Sequence, residues 1–170
     1  ADVILLLHLF SGDFSRRIRG INFAYYDART THLSSLSPAI YAILATELGD
    51  ISKAYNYFCY VACGDLDDYF GNTDLGIHAA SLGGVWQAAI HGFAGVRLVR
   101  DRLYVNPKLP EKWRMVKFNL LWRGNTLRVC LSNDKVEILL GSRKKQLELP
   151  ACIYDKRIQL QANKLLTVVK

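Results

Sequence analysis

GIHAASLGGVWQAAIHGFAGVRLVRDRLYV, residues 76–105, changes period part-way along. Up to Gly95 small residues (Ala79, Ala80, Gly83, Gly84, Ala88, Ala89) recur among apolar ones, as in a helix that neighbouring backbones approach closely. An interior glycine costs a helix about 1 kcal/mol, so crowding around this segment has to offset it. From Val96 apolar and polar residues alternate, the pattern of a strand with one face buried. The predicted organisation is a helical part over residues 1–96 and a strand-built part over 97–170.

Upstream, SLSPAIYAILATELGD (35–50) offers Ser35 or Ser37 as N-cap and Pro38 in the first turn, and Gly49 stops it. Leu36, Ile40, Ile43 and Leu44 share one face at helical spacing. DISKAYNYFCYVACG (50–64) follows with Asp50 as cap, making an αα-hairpin. DLDDYFGNTDL (65–75) is an acidic, turn-rich connector. Downstream, VKFNLLWRGNTLRVCLS, DKVEILLGS, KQLELP and NKLLTVVK are short alternating runs between turn residues, which predicts an antiparallel meander or sandwich. ELGDISKAYNYF alone would suit a helical-repeat adaptor, but no periodic copy of it follows.

With 170 residues, 51% hydrophobic and 22% charged, the composition excludes disorder. The apolar run Val3–Leu7 is far shorter than the roughly 20 residues of a membrane span and lacks the flanks of a signal peptide. An apolar helix at the very start, without an initiator methionine, reads as a piece of a larger body. Cys59, Cys63, Cys130 and Cys152 show no zinc spacing and read as reduced thiols of a cytoplasmic protein. Charge is uneven: residues 1–98 carry 6 Lys/Arg against 9 Asp/Glu, and residues 99–170 carry 16 against 6. The basic half, with Arg143-Lys144-Lys145 and Trp122, raises an anionic-polymer reading. Its cations alternate with apolar residues, as on the solvated face of a sandwich, and this argues against nucleic acid.

YYDARTTHLSSLSPAIYAILATELGDISKAYNYF (25–58), DLDDYFGNTDLGIHAASLGGVWQAAIHGFAGVRL (65–98) and LYVNPKLPEKWRMVKFNLLWRG (103–124) together resemble the C-terminal part of glycoside hydrolase family 65. That family contains the maltose, kojibiose, nigerose and trehalose phosphorylases. The likeness runs collinearly over about residues 1–125 and continues beyond only as a pattern. It implies an α+β multidomain fragment: the last helices of an (α/α)6 barrel followed by a small antiparallel β-sandwich. It further implies that a Lys-Gln pair, a large N-terminal β-domain, the first barrel helices and the general-acid glutamate lie upstream. The implied activity is an inverting phosphorolysis of an α-glucoside to β-glucose 1-phosphate. Inorganic phosphate is then the co-substrate and a disaccharide the other partner, with no metal or organic cofactor, no nucleic acid and no membrane. The whole enzyme is implied to be a homodimer.

Phosphorolysis needs donors and positive charge for the phosphate and no competing carboxylate. THLSSLS (31–37) supplies hydroxyls ahead of a helix N-terminus, where dipole and free N–H groups favour an anion. Ser34 and Ser35 match the family's phosphate-binding serine pair; ordinary N-capping is the competing reading. Gly76-Ile77-His78 matches the family's Gly-Ile-His element, whose histidine contacts phosphate; read alone, such a histidine belongs to a core. Even a neutral histidine can donate to an oxyanion. His32, Gly76 and Ser81 are expected to support these residues, although Leu33 stands where many members have aspartate. No catalytic residue is expected within the chain. Hydrolases of the family would instead want a carboxylate base, for which Asp74 and the loop acids Asp65, Asp67 and Asp68 are candidates; otherwise these acids form a solvated loop with an N-cap. His8 and His91 read as core or surface residues. Trp86, Phe93, Tyr25 and Tyr26 could stack on sugar, but their helical spacing favours core packing.

Overall fold

In the computed structural model, which describes residues 1–32, 34 and 36–170, the helix α3 (Ser37–Leu48) is the most enclosed segment of the helical part. Nine of its residues, from Ser37 through Thr46, are buried, with Ile40 alone half-exposed among them. The one-sided face expected from Ile40, Ile43 and Leu44 is therefore replaced by burial nearly all round, and Leu36 is exposed. Around α3 stand α1 (Asp2–Leu9), α2 (Arg16–Asp27), α4 (Ile51–Ala62) and α5 (Ala79–Gln87), which runs on as a π-helical turn over Ala88–Phe93. These elements form one unit, Ala1–Phe93; a second unit comprises Ala94–Lys170.

The caps explain the helix limits. Ser15 Oγ accepts from Ile18 N at 3.2 Å ahead of α2, and Asp50 Oδ1 accepts from Lys53 N at 3.0 Å ahead of α4. Gly49 closes α3 in the left-handed region at φ +96°. At the other end of α3 Ser37 does not serve as the N-cap, and Ser35, the alternative, lies outside the described residues. Leu36 is the N-cap and makes no side-chain cap bond, while Ser37 is already helical. The Ser37 hydroxyl instead lies 3.3 Å from His32 Nδ1.

Small residues in α5 act selectively. A Cβ on Gly84 would lie 2.8 Å from Ala39 Cβ of α3, and one on Gly92 would lie 3.4 Å from Ile43 Cα, whereas Gly83 faces open space. Phe93 is fully buried, its ring 5.6 Å from Phe58. Trp86 and Tyr25 are about half exposed, contrary to the core packing expected of them: Trp86 stands edge-on to His91, and Arg29 covers the Tyr25 ring. His8 is neither a plain core nor a surface residue. It shares the buried Glu47 carboxylate with Arg19, at 2.8 and 2.6 Å.

The second unit holds two four-stranded sheets. One has the order β1 (Val96–Val99), β2 (Arg102–Val105), β6 (Glu148–Ile153), β7 (Lys156–Gln161). The other has the order β3 (Val116–Trp122), β4 (Asn125–Leu131), β5 (Lys135–Gly141), β8 (Leu165–Val169). Alternation sets the faces: Leu127, Val129 and Leu131 of β4 and Val136, Ile138 and Leu140 of β5 are buried, while Thr126 and Arg128 are exposed. Two-residue turns join β1–β2, β3–β4 and β6–β7. Both residues of each have positive φ, in Arg100-Asp101, Arg123-Gly124 and Tyr154-Asp155, which suits the twist of a hairpin. One pairing departs from the antiparallel expectation, for β2 runs parallel to β6.

Candidate functional site

The loop after α2 places His32 in the left-handed region, φ +54°, and turns its ring into an aromatic corner. Tyr41 meets it edge-on at 4.5 Å between centroids, and Tyr57 lies at 4.8 Å. Burial pushes the His32 imidazole below its ordinary pKa, against the opposing pull of the Asp27 carboxylate, so the ring is neutral. The Tyr57 hydroxyl donates to Asp27 Oδ1, and Lys53 Nζ donates to Asp27 Oδ2 at 2.7 Å. With that phenolic proton committed, His32 Nε2 is the donor to the Tyr57 oxygen at 3.2 Å, which leaves Nδ1 to accept from Ser37 Oγ at 3.3 Å. The result is a continuous chain, Lys53–Asp27–Tyr57–His32–Ser37, beside a cavity of about 420 Å³ lined by Thr31, His32, Lys53, Asn56, Tyr57 and Tyr60.

Ser34 is exposed, and its Oγ accepts from Leu36 N at 3.3 Å. Ser35 lies outside the described residues. Ser37, Pro38 and Ala39 are buried, so the first turn of α3 is not the open rim of N–H donors expected. Among the described residues of this loop, Ser34 offers an exposed hydroxyl.

His78 is the N-cap of α5. Asp65, at the start of the acidic loop, takes its backbone N–H at 2.8 Å and its Nδ1–H at 2.5 Å. These two bonds hold the Asp65 carboxyl below its ordinary pKa, so it is the acceptor and Nδ1 carries the proton. A neutral His78 has then no second donor. Its Nε2 can donate only when both ring nitrogens carry protons. The loop is braced further by Asp68 Oδ1, which accepts from Asn72 N, Thr73 N and Thr73 Oγ at 3.0, 3.0 and 2.6 Å. Gly76 holds φ +126°, ψ 171°, a conformation essentially reserved for glycine, while Ser81 is buried in the first turn of α5.

The structure thus joins His32 and Ser37 in one network and joins His78 to Asp65 in another. Sequence reasoning missed Asp27, Lys53 and Tyr57, and it left Asp65 and Asp68 as candidate bases or acids of a solvated loop; Asp68 is exposed, whereas Asp65 is half-buried against His78. Asp74 remains exposed. Among the described residues no group of three or more His, Cys, Asp or Glu could hold a metal ion, and no helix is long and apolar enough to cross a membrane.

Residues 1–87 match the central catalytic domain of glycosyl hydrolase family 65, and residues 96–160 match its C-terminal domain. The chain belongs to glycosyl hydrolase family 65. Among its family-65 relatives, a kojibiose phosphorylase of Halothermothrix orenii is 42% identical over 166 residues, covering 96% of this chain and 21% of the relative. An α,α-trehalose phosphorylase of Thermoanaerobacter brockii is 40% identical over 164 residues, with the same coverages of 96% and 21%. A maltose phosphorylase of Bacillus subtilis is 36% identical over 163 residues, 95% of this chain and 21% of that one. A solved structure from the human microbiome, provisionally named a kojibiose phosphorylase, superimposes with a TM-score of 0.90 at 32% identity, covering 100% of this chain and 22% of its own. This family-65 chain therefore spans about a fifth of the length of the curated relatives it matches.

Proposed function

We propose that this chain is the C-terminal part of an inverting disaccharide phosphorylase, its first unit completing an (α/α)6 barrel and its second forming the sandwich that follows. The observation that carries the reading is the anchoring of His78: Asp65 takes Nδ1–H and the main-chain N–H, which fixes the ring at the start of α5 with Nε2 left to meet a ligand. With both ring nitrogens protonated, Nε2–H donates to a phosphate oxygen, and the exposed Ser34 hydroxyl ahead of α3 offers a second donor. Apolar side chains exposed on α1 and at its C-cap, Leu6, Leu9 and Phe10, suit contact with further barrel helices.

In this mechanism a glutamic acid elsewhere in the enzyme gives its proton to the glycosidic oxygen as the bond from the anomeric carbon breaks. A phosphate oxygen forms the new bond from the opposite face, and the products are β-glucose 1-phosphate and the free second sugar. His78 and Ser34 contribute by holding the dianion and neutralising it. The loop acids support phosphorolysis over hydrolysis, because Asp65 and Asp68 are engaged in building the loop and are not placed as bases for water.

The test is to incubate the complete enzyme with kojibiose, trehalose, maltose and nigerose, with and without phosphate, and to quantify glucose 1-phosphate against free glucose. Phosphate-dependent glucose 1-phosphate from one sugar is expected and identifies the substrate. Release of two hexoses without phosphate would overturn the reading and direct attention to Asp74.

A further inference from the structure

On the second unit, the β3–β4 turn, the ends of β4 and β5 and the Ser142–Lys144 loop surround a cleft of about 950 Å³. Arg123, Arg128, Arg143 and Lys144 line it, and no carboxylate does. Arg123 is already committed, 2.7 Å from Asp101 and over the Trp122 ring. Arg128, Arg143 and Lys144 pair with no carboxylate among the described residues. Three cations turned to one concavity without counter-charge create a positive potential that concentrates anions.

The cleft is built, not a chance gathering of mobile side chains. Asn163 clamps its loop from the β7–β8 turn: Ser142 N donates to Asn163 Oδ1 at 3.2 Å, and Asn163 Nδ2 donates to Ser142 O at 2.9 Å. Lys144 N donates in turn to Ser142 Oγ at 3.1 Å. Arg128 lies opposite Leu139 in the register of β4 and β5, so a cation stands beside an apolar floor. Volume and lining select the ligand. Small-molecule sites run from about 300 to 1,000 Å³, whereas a nucleic-acid strand needs an extended basic track with aromatic rings for its bases. No aromatic residue lines this cleft.

We propose that the cleft binds a small phosphorylated organic molecule of sugar-phosphate size. Arg128, Arg143 and Lys144 take the phosphate, with Arg offering its paired donors to two oxygens at once, and Thr126 and Ser142 take hydroxyl groups. The assignment shares no residue with the His78 loop.

Isothermal titration of glucose 6-phosphate into the complete protein tests it, with glucose as the uncharged control. Saturable binding by the phosphate ester is expected, weakened at least tenfold in R128E/R143E/K144E and retained in H78A. All three cations are exposed, and the milder R143S/K144S, confined to the loop, keeps the experiment readable should the triple variant fold poorly. Absence of binding, binding unchanged in both cleft variants, or binding lost only in H78A would each overturn the proposal. Tighter binding of single-stranded DNA, abolished by the same cleft changes, would overturn it in favour of a polymer.

Discussion

Asp65 holds His78 at two points at once, its carboxylate receiving both the main-chain N–H and Nδ1–H. A single bond would leave the ring free to swing. Two bonds into one planar carboxylate tie the ring's direction to the path of the backbone, and the non-standard turn at Gly76 delivers that backbone.

Replacing Asp65 by Asn in the complete enzyme keeps the size of the side chain and removes its charge. The apparent KM for phosphate should rise about tenfold, while that for the sugar stays within about twofold. Steady-state kinetics with each substrate varied in turn reads this directly. Equal changes in both constants would assign Asp65 to the fold alone.

Because the carboxyl of Asp65 lies below its ordinary value of 3.8, the sign of its pH effect is fixed. Its contribution is present in full above about pH 4 and is lost as pH falls through the lowered folded value. The Asp65 carboxyl-carbon resonance should therefore show its own protonation step only below about pH 4.

Tyr57 gives the opposite sign. Burial, and after it the bond to Asp27, raise its phenol well above the ordinary value, so its contribution is intact below about pH 10 and disappears as pH rises further. Tyr57→Phe leaves His32 and Asp27 without their shared partner and should cost about 1–3 kcal/mol in denaturant unfolding. The same variant should show no loss of stability between pH 8 and 11 beyond that of other tyrosines.

Two adjacent glycines of α5 should respond differently to alanine. Gly83→Ala meets no atom within 4 Å and should stabilise by about 0.5–1 kcal/mol through helix propensity. Gly84→Ala would put a methyl 2.8 Å from Ala39 Cβ and should destabilise by about 1–3 kcal/mol through overpacking. Thermal melts of the pair separate propensity from packing.

Where local chemistry decides structure, the sequence was legible. The Asp50 cap, the Gly49 stop, the Arg123-Gly124 hairpin and the change of period at Val96 all depend on neighbours within a few positions. The hairpin of β6 and β7 was hidden because Pro150 reads as a strand end. It is tolerated because β6 meets β2 only over Ala151–Ile153, so the missing N–H is not needed there. Within the candidate site the sequence singled out residues where a whole motif stands in line, among them His32, Ser34 and His78. Asp27, Lys53 and Tyr57 converge on His32 from two helices, up to 30 positions from one another in direct bonds such as Tyr57–Asp27, and no spacing rule links them. Asp65 looked like one of several loop acids because its partner lies 13 residues away.

The parallel pairing of β2 with β6 also dictates an order of assembly. Leu103 and Ala151, which face each other in that pairing, are 48 positions apart, and the whole of β3, β4 and β5 lies between them. Closing so long a loop is entropically slow, whereas the β3–β4 and β4–β5 hairpins need only short loops. Those hairpins should form first and bring the strands of the other sheet within reach, with mutational φ-values higher at Val129 than at Leu103. The sheet that opens this part of the chain is then the last to be completed.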